Sequence, residues 1–198
     1  MIKLIEKLED LPYVEFYNLY ELAIAKKQKY IESSLISTFD INDNQPNSRY
    51  VNIKYIKGDE WIFFTNLNSP KVRQIKSCPK ISVVFFWEKI GIQIRIKAES
   101  FLTSKSFSDI HFNNRSIEKN SLAISSKQSE TIDSFKNVIK NYETTLNTKN
   151  YMKRPDYWGG ISFKPFSFEF WTAGEHRLNK RILYTKNTNK WEQKILQP

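Results

Sequence analysis

Ile92-Gln93-Ile94-Arg95-Ile96-Lys97-Ala98-Glu99 alternates apolar and polar side chains without a break. Successive side chains of an extended strand point to opposite faces, so this stretch has one dry face and one carrying Gln93, Arg95, Lys97 and Glu99. Residues 81–87, just before it, are apolar apart from Ser82 and read as a fully buried strand. Further back, residues 68–77 read as a short helix stopped by Cys78-Pro79, because the residue before a proline is pushed out of helical geometry. Residues 61–65 and 49–56 are two more strand-like runs around Lys57-Gly58-Asp59-Glu60. Residues 34–39 are another, closed by the turn-rich 42–47. Asp10-Leu11-Pro12 opens a helix running to about residue 31, with Asp10 as cap and Phe16, Leu19, Ala23 and Lys26 on one face. Toward the C-terminus, residues 104–113 and 129–146 have helical spacing, the second with Ile132, Phe135, Val138, Ile139 and Tyr142 on one stripe. Four strand-like runs follow the Arg154-Pro155 break, at 160–164, 167–171, 181–185 and 191–196. Strands at regular spacing with a few helices inserted predict a mainly β fold, a closed or nearly closed antiparallel barrel.

A chain of 198 residues can bury one sizeable core, and at ~150 residues per domain a single unit over 1–198 is expected. Its apolar fraction of 40% and charged fraction of 26% are those of a soluble globular protein. The longest apolar run, 81–87, falls far short of the roughly 20 residues a membrane helix needs. Charges interrupt the N-terminal Met1-Ile2-Lys3-Leu4-Ile5-Glu6-Lys7, so no signal-peptide core is drawn there and a cytoplasmic location is expected. Cys78 is the only cysteine, with His111 and His176 the only histidines, so no disulfide and no metal site is expected. The net charge of +10 suits nucleic acid, an anionic membrane or phosphorylated small molecules. The lysines are scattered rather than blocked, which leaves neither nucleic acid nor membrane as an expected partner.

Several spacings carry chemistry. Arg49-Tyr50-Val51-Asn52-Ile53-Lys54 offers a planar guanidinium and a point charge, both suited to phosphate. On a regular strand the two face opposite sides, so a shared site needs a twist or bulge; two solvated charges are the alternative. Phe64-Thr65-Asn66 and Ser69-Pro70-Lys71 supply a hydroxyl and a cation, or form an ordinary turn into a helix. Gln93 brings an amide that both donates and accepts, or simply faces solvent. Gln128-Ser129 stands at the expected start of the long helix, as phosphate ligand or as cap. His111, Arg115 and Lys119 either hold an anion or decorate an exposed helix and loop. Finally Trp158-Gly159-Gly160, Glu169-Phe170-Trp171, Arg177-Leu178-Asn179-Lys180-Arg181 and Ile195-Leu196-Gln197-Pro198 follow one another at fixed offsets.

From about Leu11 to Pro198 these blocks resemble the pyridoxamine 5'-phosphate oxidase family, with a helical region at 1–32 and the family's signature in 151–198. The resemblance implies an FMN-binding split β-barrel, antiparallel and Greek-key-like. It also implies a homodimer with FMN at the interface, each site drawing on both chains. In it, Arg49, Tyr50, Val51, Lys54, Phe64, Thr65, Lys71, Gln93, Gln128, Ser129, Trp171 and Arg181 would contact the cofactor. Lys54, His111, Arg115, Lys119, Arg177 and Asn179 would face the substrate, with Arg177 the catalytic position over its ring. The implied reaction is hydride transfer from a substrate carbon to flavin N5, reoxidation by O2 to give hydrogen peroxide, and formation of pyridoxal 5'-phosphate. Pro70 replaces a family arginine, with Arg73 near enough in sequence to compensate. His111 and Lys119 replace a tyrosine and a serine, Asn179 a histidine and Lys180 an aspartate. The family's N-terminal arm is represented by only a few residues. These departures leave two alternatives open: an oxidase of the same fold with another, aromatic substrate, as in phenazine biosynthesis, or a non-catalytic flavin-binding protein.

Overall fold

The computed structural model describes residues 1–148, 151–188 and 190–198. In chain order the elements are β1 (Lys3–Ile5), α1 (Leu11–Ala25), β2 (Ser33–Asp40), β3 (Gln45–Asn52), β4 (Tyr55–Lys57), β5 (Glu60–Asn66), α2 (Pro70–Ser77) and β6 (Lys80–Trp87). They continue with β7 (Ile92–Leu102), α3 (Lys105–Asn113), α4 (Ile117–Ser125), α5 (Phe135–Asn147), β8 (Trp158–Thr172), β9 (Lys180–Asn187) and β10 (Lys190–Leu196). The alternating stretch opens β7, which pairs antiparallel with β6 on one side and β8 on the other. The sheet runs β1-β4-β5-β8-β7-β6-β2-β3, with β9 also on β8 and β10 on β9. Among the described residues only β1 and β4 pair in parallel.

The fold is the mainly β split barrel expected, and of the two forms expected, closed or nearly closed, the sheet is not the closed one. One edge of β8 is shared, Trp158 to Phe163 pairing with β5 and Ser167 to Thr172 with β9, so the ladder forks instead of returning on itself. The two strands expected at 160–164 and 167–171 are this one strand. Its register slips at one point: Lys97 faces Ser167 and Ala98 faces Pro165, leaving Phe166 unpaired as a β-bulge. Pro165, which has no N–H for the ladder, sits at that bulge, where a sheet tolerates it. Ile161 and Phe163 before the bulge and Phe168 and Phe170 after it all enter the core.

Helix α1 lies across the inner face, its Phe16 ring 4.5 Å from Trp61 and 5.7 Å from Phe85. The buried positions are Pro12, Tyr13, Phe16, Tyr17, Tyr20 and Ala23; Leu19 is only partly covered and Lys26 is exposed, so the face is turned from the one expected. The helix also stops at Ala25 instead of about 31. Lys27 is left-handed (φ 55°), Gln28 N–H bonds the Ala23 carbonyl and Lys27 N–H that of Ile24, which together form a Schellman end without its usual glycine.

The strand expected over 49–56 is broken at Ile53-Lys54. Ile53 N–H donates to the Glu32 carbonyl and Lys54 N–H to that of Ile62, so the chain changes partners within one residue. The turn expected at 42–47 ends sooner, since β3 begins at Gln45. Helix α5 begins at Phe135 behind the Ser134 cap, because Ser129 at φ 70° cannot belong to a right-handed helix. Its expected apolar stripe is not buried in the single chain: Phe135 is 76% exposed.

Gly160 marks a close approach, since a Cβ there would stand 2.6 Å from Thr103 Oγ1 and 2.8 Å from its Cβ. Gly160→Ala should therefore cost about 1–3 kcal/mol as an overpacked site, read as a lowered urea midpoint with unchanged slope.

Candidate functional site

A cleft of about 850 Å³ opens beside β3, β4 and β5 and is walled by α3, α4 and the segment through Gln128. The break at Ile53-Lys54 brings both Arg49 and Lys54 onto its lining, supplying the change of direction that a regular strand lacks.

At one end the Arg49 guanidinium donates to Thr38 Oγ1 and, at 3.2 Å, to Gln74 Oε1. Gln74 is held in turn by Asp40, which accepts from its Nε2 at 3.0 Å. Lys71 Nζ donates to Thr65 Oγ1 and Ser69 Oγ, both at 3.0 Å. Gln128 Oε1 accepts from Thr65 Oγ1 at 3.2 Å and from Asn66 N–H at 3.3 Å. Among the described residues no carboxylate pairs with Lys71 or Arg49, although Lys71 is only 6% exposed. Two cations, a hydroxyl and the first turn of α2 without a counter-ion are a fitting seat for a phosphate. Pro70 is accommodated at the start of α2, where a missing N–H costs nothing. Arg73 does not compensate for it within the cleft: its Nη1 donates to the Asn68 carbonyl and it does not line the cavity.

Burial, and secondarily Arg49, push Lys71 down to about 8 from the ordinary lysine value of 10.5. With no anion bound, the folded protein loses this proton near pH 8 while the unfolded chain keeps it to 10.5. The unfolded state then binds more protons, so this lysine's contribution makes stability rise with pH across that window. A urea midpoint that rises between those limits in the anion-free protein, and flattens in Lys71→Met, checks this.

The other end is aromatic and cationic. His111 stacks on Phe64 with ring centroids 3.8 Å apart, and Phe64 lies parallel to Trp158 at 5.3 Å. The Tyr55 hydroxyl and His111 Nδ1 are hydrogen-bonded at 2.9 Å. Arg115 lies over Trp158, its Cζ 4.3 Å from the ring centroid. Its Nη2 donates to the Lys119 carbonyl, while its buried Nη1 has no partner among the described residues. Burial lowers Arg115 to about 10. Burial first, then the charges of Arg115, Lys54, Lys3 and Lys119, lowers His111 to about 4, so the ring is neutral at pH 7 and offers one donor and one acceptor. An aromatic wall beside convergent cations suits a flat ring bearing an anionic group.

Of the expected site residues, Arg49, Tyr50, Val51, Lys54, Phe64, Thr65, Lys71, Gln128, His111, Arg115 and Lys119 line this cleft. Lys3, Tyr55 and Trp158 line it too, unassigned by the sequence. Gln93, Ser129, Trp171, Arg177, Asn179 and Arg181 do not. Gln93, Trp171 and Arg181 instead stand side by side across β7, β8 and β9, with Phe86 of β6 completing the row. Arg177 is exposed in the turn after β8, and Asn179 Oδ1 accepts from Gly174 N–H at 3.2 Å. Ser129 is held away from a helix start by its left-handed backbone. Among the described residues no group of three or more His, Cys, Asp or Glu could hold a metal ion, and no helix is long and apolar enough to cross a membrane.

Residues 24–144 match the pyridoxamine 5'-phosphate oxidase family, and residues 158–198 match the pyridoxine 5'-phosphate oxidase C-terminal dimerisation region. A pyridoxine/pyridoxamine 5'-phosphate oxidase from Pelagibacter ubique is 36% identical over 167 residues, covering 82% of this chain and 80% of that protein. One from Blochmanniella floridana is 39% identical over 166 residues, covering 82% and 77%. Among solved structures, PhzG from Burkholderia lata in complex with tetrahydrophenazine-1-carboxylic acid superposes with a TM-score of 0.89 at 24% identity, covering 94% of this chain and 92% of that one. A pyridoxamine 5'-phosphate oxidase-related, FMN-binding protein from Nostoc punctiforme gives 0.76 at 13% identity, covering 92% and 97%.

Proposed function

Because this chain belongs to the pyridoxamine 5'-phosphate oxidase family, we propose that it is an FMN-dependent oxidase that converts pyridoxine or pyridoxamine 5'-phosphate to pyridoxal 5'-phosphate. The observation that carries the reading is the uncompensated pair Arg49 and Lys71 at one end of a cleft whose other end is the aromatic, cationic wall of His111, Phe64, Trp158 and Arg115. When bound, FMN supplies acceptance of a hydride from a substrate carbon and reoxidation by O2 to hydrogen peroxide, chemistry that no side chain here provides.

The chain's own part is binding and orientation. Arg49, Lys71 and Thr65 hold the flavin phosphate, and Lys54, Arg115 and Lys119 hold the substrate phosphate with neutral His111 as a hydrogen-bonding neighbour. Gln93, Trp171 and Arg181 serve the flavin, and Arg177 and Asn179 the substrate, from the partner subunit of a homodimer, which accounts for their place outside the cleft. The same reading treats 1–198 as one flavin-binding domain working in the cytoplasm.

Purified protein should be yellow and should release hydrogen peroxide and an aldehyde when given pyridoxine 5'-phosphate in air. Flavin binding without peroxide from either vitamin phosphate would leave the fold assignment standing and remove the substrate. A second reading, an aromatic substrate without a phosphate, is favoured by Asn179, whose neutral amide replaces the family's histidine and is engaged with Gly174. A dihydrophenazine carboxylic acid offered in the same assay separates the two.

A further inference from the structure

The polar face of the open sheet carries one carboxylate shared by two arginines. Glu169 on β8 is directly opposite Arg95 on β7, and the two are joined at 3.1 Å. It also accepts from Arg181 on β9 through Nε at 2.9 Å and Nη2 at 2.8 Å, both on Oε1. The remaining end of that guanidinium donates through Nη1 to the Gln197 carbonyl, just beyond β10, at 3.0 Å. The Glu169 side chain is only 12% exposed, against 50% for Arg95 and 26% for Arg181. Arg181 is thus fixed at all three nitrogens, on the face where Gln93 and Trp171 are its row neighbours.

A long, freely rotating arginine would have to be ordered when it meets a ligand, at a cost in side-chain entropy. Glu169 removes that cost by ordering it beforehand. Two guanidinium groups against one carboxylate also leave the cluster with a net positive charge, so the clamp does not cancel attraction for an electron-rich ligand edge.

We propose that Glu169 is a positioning residue of the flavin site, acting by holding Arg181 in its binding orientation. This rests on the reading of Arg181 as a flavin contact. It predicts that Glu169 matters for flavin only while Arg181 is present.

The test is the dissociation constant of FMN, measured by quenching of flavin fluorescence for wild type, Glu169→Gln, Arg181→Ala and the double variant, with the melting temperature of each flavin-free protein recorded alongside. Glu169→Gln should weaken binding about tenfold, the size of one charge-assisted contact, and add nothing in the Arg181→Ala background. A purely structural role would lower the melting temperature equally in both backgrounds and leave no such coupling. Glu169→Asp keeps the charge with a shorter reach and should weaken binding by a smaller factor; it carries the test if the glutamine variant does not fold. Unchanged affinity in a folded Glu169 variant, or an equal loss with and without Arg181, overturns the inference. Absence of FMN binding by the wild type overturns instead the flavin reading beneath it, and this inference with it.

Discussion

Turnover by Arg177→Ala protein is expected to fall about a thousandfold while its flavin content stays at the wild-type level, the scale seen when one preorganised charge-stabilising group is removed. Arg177 is exposed, so its side chain supports no packing that the substitution would remove. The turn presenting it is nonetheless tightly specified. His176 and Arg177 are both left-handed, at φ 52° and 63°, a conformation that costs L-residues roughly 1–2 kcal/mol each. The turn is closed by Leu178 N–H to the Glu175 carbonyl at 2.9 Å and by Asn179 N–H to that of Arg177 at 2.8 Å. Gly174 cannot carry a side chain at all, since a Cβ would meet the Leu178 carbonyl oxygen at 2.2 Å. Strain held in place by so many local contacts is what a presented functional side chain requires. Alanine at 177 keeps the backbone and removes only the guanidinium, so steady-state rate and flavin absorbance measured on the same preparation should separate. Loss of flavin together with rate would instead mean that Arg177 contacts the cofactor.

The second large effect is expected at Arg49. Arg49→Ala should raise the FMN dissociation constant about a hundredfold, because it deletes a charge-assisted contact and orphans the groups around it. Thr38 and Gln74, which now receive the guanidinium, would be left with each other, Asp40 and the Asn47 carbonyl. Affinity should also fall as pH rises through about 8, since Lys71 must then take up a proton to meet the phosphate. That trend is opposite in sign to the stability trend of the anion-free protein, and titrating both on one sample checks them together. A pH-independent affinity would remove Lys71 from the phosphate site.

Strand β7 was legible because one-sided burial leaves a period-two trace, whereas β6, expected to be fully buried, alternates in burial beneath an apolar run and leaves Phe86 58% exposed. What escaped lacks such a trace. Strand β1 has three residues, too few to show a period, yet it brings Lys3 to the cleft. The end of α1 depends on Lys27 adopting a left-handed conformation that glycine would have advertised. Helix α4 lies in a run where only Asn120 and Ser121 are buried, so its spacing carries little apolar signal. In the site, the residue types suited to phosphate were readable, but their division between the cleft and the open face was not. That division follows from strand pairing across β7, β8 and β9, a property of register and not of local sequence. Glu169 was visible only as part of a motif; its two arginine partners are set by the same register.

The bulge at Phe166 gives the long β8 a reading frame of its own. Trp158 before it lines the cleft, and Glu169 and Trp171 after it stand on the polar face, while Phe163 before the slip and Phe168 and Phe170 after it stay in the core. In a strand, moving the count by one exchanges the two faces. Almost any side chain could therefore replace the half-exposed Phe166, but deleting the residue would send Glu169 and Trp171 inward and turn Phe168 and Phe170 out. At this position the molecule is indifferent to the letter and dependent on the number of letters.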